Sequence, residues 1–160
     1  KNALVEINGS IAYVPQKPWI MSGTLRDNVT FTLPFDKEKY DRVIKHASMA
    51  TDLSLLVNGD QTEIGEKGAN LSGGQKARIG LARALYSDRD IYLLDDIISA
   101  VDVHVGEFLM KETILKFLKK KTVIMPTHAV KFAEYADKVI ILKKGKIARM
   151  GTYNYVKDTE

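Results

Sequence analysis

A glycine turn, a helix-length interval and an apolar strand ending in two carboxylates follow one another in the middle of this chain. Leu71-Ser72-Gly73-Gly74-Gln75 is the turn, and Ile91-Tyr92-Leu93-Leu94-Asp95-Asp96 is the strand. Between them Ala77, Leu81 and Leu85 recur every four residues, the mark of one helix face running to about Ser87. Free backbone N–H groups at the start of such a helix attract phosphate, and paired glycines let it approach closely. Asp95 stands where a buried strand emerges, the usual ligand position in an α/β sheet, and a carboxylate there suits Mg²⁺ held through water. This order of cradle and acid points to nucleotide chemistry.

Short continuous apolar runs at Ile91–Leu94, Val123–Met125 and Val139–Leu142 read as strands buried on both faces. Helices near Val103–Leu118 and Val130–Ala136 separate them, a βαβαβ alternation that predicts a parallel sheet with right-handed crossovers. Upstream, Ala3–Ile7 and Ile11–Val14 read as two strands joined through Asn8-Gly9 as a hairpin, with Pro15 ending the second. Asp36 reads as the N-cap of a helix placing Tyr40, Val43, Ile44 and Ala47 on one face, and a shorter helix follows around Leu53–Val57. Lys143-Lys144-Gly145-Lys146 turns a second hairpin into Ile147–Met150.

With 160 residues, 45% of them apolar, the chain can build one domain with a substantial core. No apolar run exceeds four residues, so no stretch of it spans a bilayer. The absence of cysteine excludes a disulfide framework and fits the cytosol. Much of the net charge of +4 lies in the lysines of 116–121 and 143–146. These read as a solvated helix end, where cations complement the dipole, and a hairpin tip, so no nucleic-acid partner is expected.

Beyond the turn, Gln75-Lys76-Ala77-Arg78-Ile79-Gly80-Leu81-Ala82-Arg83-Ala84-Leu85 resembles the signature helix of ATP-binding-cassette (ABC) transporters. The distance on to Asp95 strengthens the resemblance, as do Tyr13–Ile20, Thr24–Asn28 and Glu63–Ser72. It covers essentially the whole chain and is most like the first nucleotide-binding domain of multidrug-resistance-associated exporters, subfamily C. The implied fold is a P-loop NTPase-like parallel sheet with an inserted helical subdomain. Its regions would be a strand and Q-loop part (1–29), a helical signature part (30–85) and the remainder with Walker B, D-loop, H-loop and a final hairpin (86–160). Nothing matches Gly-x-x-x-x-Gly-Lys-Ser/Thr; Gly68 to Gly73 comes nearest, with Gly74 where lysine is required. The expectation is therefore a domain lacking its front, with the phosphate-loop lysine outside the chain and a sheet edge and core face left uncovered.

The resemblance also implies roles. ATP and Mg²⁺ are the expected ligands. Ser72, Gly73, Gly74 and Gln75 would face the nucleotide held by a second nucleotide-binding domain in a head-to-tail pair, and Asp102 would lie in the loop crossing between them. Asp95 and Gln16 would serve the metal. Gln16 would also reach the attacking water, and its loop would lie against transmembrane domains of the same transporter. His128 would sense the γ-phosphate. Asp96 stands where the family has glutamate to polarise water; being one methylene shorter, it implies a site that binds ATP and turns it over slowly. Ile97 and Pro126 are further departures, in place of a usual proline and a usual β-branched residue. The parent would be an ATP-driven exporter working at the cytoplasmic face of a membrane. A non-enzymatic ATP-gated module and a soluble non-transport ABC ATPase stay open as alternatives.

Overall fold

The structure, a computed structural model, describes residues 4–157. They divide after Thr127 into two compact units. In the first, strands β1 (Ile11–Val14), β4 (Ile91–Leu94) and β5 (Thr122–Ile124) form a parallel sheet in the order β1-β4-β5. Between β1 and β4 the chain inserts β2 (Gly23–Thr24), α1 (Leu25–Thr30), α2 (Lys37–His46), α3 (Ala50–Leu55), β3 (Glu63–Ile64) and α4 (Gly73–Ser87). This is the parallel sheet with an inserted helical segment expected of the sequence. Between β4 and β5 runs α5 (Val103–Phe108), which continues as a π-helical stretch over Leu109–Phe117.

The helix α4 organises this unit. Ala77, Ile79, Leu81, Ala82, Ala84, Leu85 and Tyr86 are all buried, because α4 passes between α1, α2 and the β1 side of the sheet. Fully burying one such leucine contributes about 1.5–3 kcal/mol. Ala12, Val14, Tyr92 and Leu94 fill the sheet face beneath it, whereas on the other face Ile11, Tyr13 and Ile124 are exposed. Asp36 caps α2 through a bond from Lys39 N–H at 2.9 Å, and Tyr40, Val43, Ile44 and Ala47 are buried as their spacing predicts. The π-helical stretch carries the buried Thr113, whose hydroxyl donates to the His46 carbonyl at the end of α2. The His46 ring stacks on Phe117 at 4.4 Å, and burial, aided by Lys45, lowers its pKa from the ordinary histidine value.

Two expectations are corrected. Residues 4–10 form no strand, so the Asn8-Gly9 hairpin is absent; Ala3 lies outside the described residues. Gly9, at φ +140°, lets the chain approach Asp90 so closely that a Cβ would stand 3.0 Å from the Asp90 Cβ. The Asp90 carboxylate accepts from Ser10 N–H at 2.8 Å and Ser10 Oγ at 2.7 Å. This tie delivers β1 to β4, and β1 takes its ladder from there. The second correction concerns β6 (Val139–Lys143) in the other unit, expected as a buried parallel strand. It pairs antiparallel with β7 (Lys146–Gly151), and among the described residues with no other strand, leaving Ile140, Ile141 and Leu142 exposed. Lys144 and Gly145 both have positive φ, the type I′ geometry that closes a two-residue hairpin, so the local turn decides the pairing. That unit also holds a 3₁₀ segment, Val130–Tyr135, and α6 (Tyr153–Lys157).

Candidate functional site

The glycine turn opens α4 as a capping box. Ser72 Oγ accepts from Gln75 N–H at 3.2 Å, and Gln75 Oε1 accepts from Ser72 N–H at 2.9 Å. The N–H groups of Gly73 and Gly74 come next and have no intrahelical acceptor, as at any helix start. A Cβ on Gly73 would meet open space; one on Gly74 would stand 3.1 Å from the Ala100 carbonyl oxygen. At Gly74 the turn therefore rests against the loop after β4. Gln75 Nε2 donates to Asp52 of α3 at 3.1 Å, and Arg78 NH2 donates to both Asp52 oxygens at 2.9 and 2.7 Å.

At the end of β4 the two carboxylates part. Asp95 N–H donates to the Val14 carbonyl, extending the ladder, while its half-buried carboxylate accepts a long bond from Tyr13 OH at 3.4 Å. Asp96 turns inward with φ +50°, a left-handed conformation that aspartate tolerates better than most residues. It is 6% exposed. Its Oδ1 accepts from Ser99 Oγ at 2.8 Å and Thr127 Oγ1 at 3.1 Å, and its Oδ2 from Gln16 Nε2 at 3.4 Å. Its N–H donates to the Pro126 carbonyl, so the unusual proline serves through the one backbone group it keeps. Ile97, where the family pattern has proline, is buried beside it.

Gln16 lies two residues beyond the end of β1, after Pro15, and is exposed. The segment after it is fixed by residues that the sequence did not single out. Arg83 of α4 donates to the Trp19 carbonyl at 2.8 Å, the Asn28 carbonyl at 2.8 Å and Asn28 Oδ1 at 3.0 Å. Its guanidinium lies over the rings of Trp19 and Phe31, and burial pushes its pKa below the ordinary arginine value. Asn28, wholly buried, bonds back to Met21 and Thr24. The available signal was spacing: Arg83 falls between buried Ile79 and Tyr86 on the apolar stripe of α4. Asp52 carried no such signal, because its partners come from 23 and 26 residues away.

Gln16, Asp95 and Asp96 thus meet at the C-terminal ends of β1 and β4. The Ser72–Gln75 turn touches the loop Ser99–Asp102, which leads away from Asp96. Asp102 caps α5, accepting from Val105 N–H at 3.0 Å, and this bond lowers the Asp102 pKa. His128 begins the second unit; it is exposed, and its carbonyl accepts from Val130 N–H. Among the described residues no three His, Cys, Asp or Glu side chains gather as a metal site. A magnesium ion arriving with nucleotide phosphates needs only one or two carboxylates. Asp95 fits it, since one long bond leaves acceptor capacity on both oxygens.

These elements have relatives. A family model described as ABC transporter matches residues 2–99. The chain is 49% identical over 154 residues to "Multidrug resistance protein mrp-7" of Caenorhabditis elegans, covering 95% of this chain and 10% of that protein. It is 55% identical over 150 residues to "ABC transporter C family member 13" of Oryza sativa subsp. indica, covering 94% and 10%. With "ATP-binding cassette sub-family C member 4" of Homo sapiens it shares 49% over 152 residues, covering 95% and 12%. The chain spans about a tenth of the length of these relatives. By the family match and by relatives at about half identity from subfamily C, the chain belongs to the ABC transporter family, as an ATP-binding domain of the multidrug-resistance-associated type.

Proposed function

We propose that this domain binds Mg²⁺-ATP at the ends of β1 and β4 and lends its Ser72–Gln75 turn to the nucleotide of a second such domain in a head-to-tail pair. The observation that carries the reading is the turn itself, with two N–H groups lacking an intrahelical acceptor and side chains committed to one another. Closing the pair would pull on transmembrane domains through the loop that begins at Gln16, and hydrolysis would release them. The full protein would then be an exporter, with this domain at the cytoplasmic face of its membrane. Asp95 would hold the metal, with Gln16 beside it, and the bound Mg²⁺ would supply charge neutralisation to the phosphate oxygens. Asp102 would place the loop that faces the second domain, and His128 would donate to the γ-phosphate.

Asp96 would bind poorly to an attacking water. It lacks one methylene of reach, and misplacing a general base by about 1 Å costs on the order of 10²-fold. Its Oδ1 is also committed to two hydroxyls inside the protein. The same observation favours a second reading, in which ATP at this site gates the partner without being cleaved. Vanadate trapping of nucleotide on the full-length protein separates the two, because trapping needs turnover. Trapping at the Asp96 site supports slow hydrolysis; trapping confined to the partner site supports gating. Failure of the full-length protein to bind Mg²⁺-ATP at all would overturn both.

A further inference from the structure

We propose that Asp52 is the positioning residue of the Ser72–Gln75 turn; the proposal rests on the reading that this turn receives phosphate. A carboxylate only accepts hydrogen bonds, so Asp52 can meet Gln75 only through the amide nitrogen, Nε2. That choice leaves Gln75 Oε1 for the Ser72 N–H, which closes the capping box. Were the amide to rotate, Nε2 would face the Ser72 N–H, donor against donor, and the box would open. Asp52 thus fixes the orientation of a side chain on which the shape of the turn depends.

Asp52 is held in its turn by Arg78, whose NH2 reaches both carboxylate oxygens while its side chain stays 12% exposed and that of Asp52 17%. Arg78 Nε is buried and unpartnered among the described residues, so Asp52 is its principal charge partner here. No residue of α3 is fully buried. A short surface helix that adds nothing to the core nevertheless sends one carboxylate into the base of the glycine turn. Core packing does not explain that contact; orientation of Gln75 does. Gly74 is packed against the same cluster, since a Cβ there would stand 3.1 Å from the Ala100 carbonyl oxygen and 3.4 Å from Arg78 NH1.

The test uses the ATPase of the full-length protein, with Mg²⁺-ATP as the varied ligand. D52A alone leaves Arg78 as an uncompensated buried cation and risks misfolding. The double variant D52L/R78M removes both charges and keeps the branched shape at residue 52, so it isolates the orientation of Gln75. We expect D52L/R78M to raise the apparent KM for ATP roughly ten-fold with kcat within about two-fold, since a misaligned receptor weakens binding first. Q75A should match it, and the triple variant should add nothing further, because all three act through one side chain. A wild-type KM in D52L/R78M overturns the proposal, and so does an additive effect of Q75A. Ser72→Ala tests the underlying reading separately. If it raises KM while D52L/R78M does not, the phosphate site stands and Asp52 is only structural. If it leaves KM unchanged, the turn is no phosphate site and both fall.

Discussion

The Ser72 turn and the Asp96 corner, proposed to serve the two nucleotides of a domain pair, are built in opposite ways. At the turn, side chains bond to one another, and the backbone N–H groups of Gly73 and Gly74 have no intrahelical acceptor. At the corner, the backbone is bonded inward and it is the carboxylate that is held, by Ser99, Thr127 and Gln16. A receptor of the first kind needs no reorganisation when an anion arrives. An acid of the second kind must give up bonds before it can act on water. On the proposed roles, the contrast separates holding a nucleotide from cleaving it, and the holding side would be the better prepared.

Asp96→Glu should break the contrast most. It restores the missing reach, and turnover at this site in the full-length protein should rise on the order of 10²-fold, measured by single-turnover ATP hydrolysis. An unchanged rate would mean that the held carboxylate, not its length, limits the site. Gly74→Ala attacks the other side. With its new Cβ only 3.1 Å from Ala100 O, the turn must shift, and the apparent KM for ATP should rise roughly ten-fold while hydrolysis at saturation changes little. Gly80→Ala strikes the link between the two regions. The Cβ would lie 2.8 Å from Pro18, a ring that cannot rotate away, so thermal unfolding should show a loss of roughly 1–3 kcal/mol.

The smallest effect is a pH response in the loop joining the two regions. The Asp102 pKa is lowered by the Val105 N–H, so its cap is complete above the ordinary aspartate range. It is lost as pH falls through the lower, folded value. The protection of the Val105 amide against hydrogen exchange, taken relative to the intrinsic rate at each pH, should therefore fall in acid, below about pH 4. Asp102→Asn, which caps without titrating, should abolish the pH response; a response that persists would assign it elsewhere.

Most of the framework was legible because it is written in local signals. The N-caps Asp36 and Ser72, the four-residue spacing in α4 and the short apolar runs each name their own structure. The Asn8-Gly9 signal misled because a long-range tie, Ser10 to Asp90, outcompetes a local hairpin that would need a strand on both sides. At Val139–Leu142 the hairpin through Lys144-Gly145 was legible and is present, while the apolar run wrongly suggested a buried parallel strand. Within the site, Ser72, Asp95, Asp96 and Gln16 were visible as motif residues. Asp52, Arg83 and Thr127 were not, since what defines them is a partner far along the chain rather than a neighbour.

The close approach of Gly80 to Pro18 has a mechanical consequence. Pro18 bears on α4 near its midpoint, two residues beyond Gln16, and leaves no gap there. A helix pressed at its middle behaves as a rocker. Gly74 lies six residues from the fulcrum, about 9 Å along the axis, so a tilt of about 6° at Pro18 swings the glycine turn by ~1 Å. That is a small angle for a loop and a large displacement for a phosphate receptor. Whatever presses on the segment after Gln16 is thereby geared, through one missing methyl group, to the glycine turn.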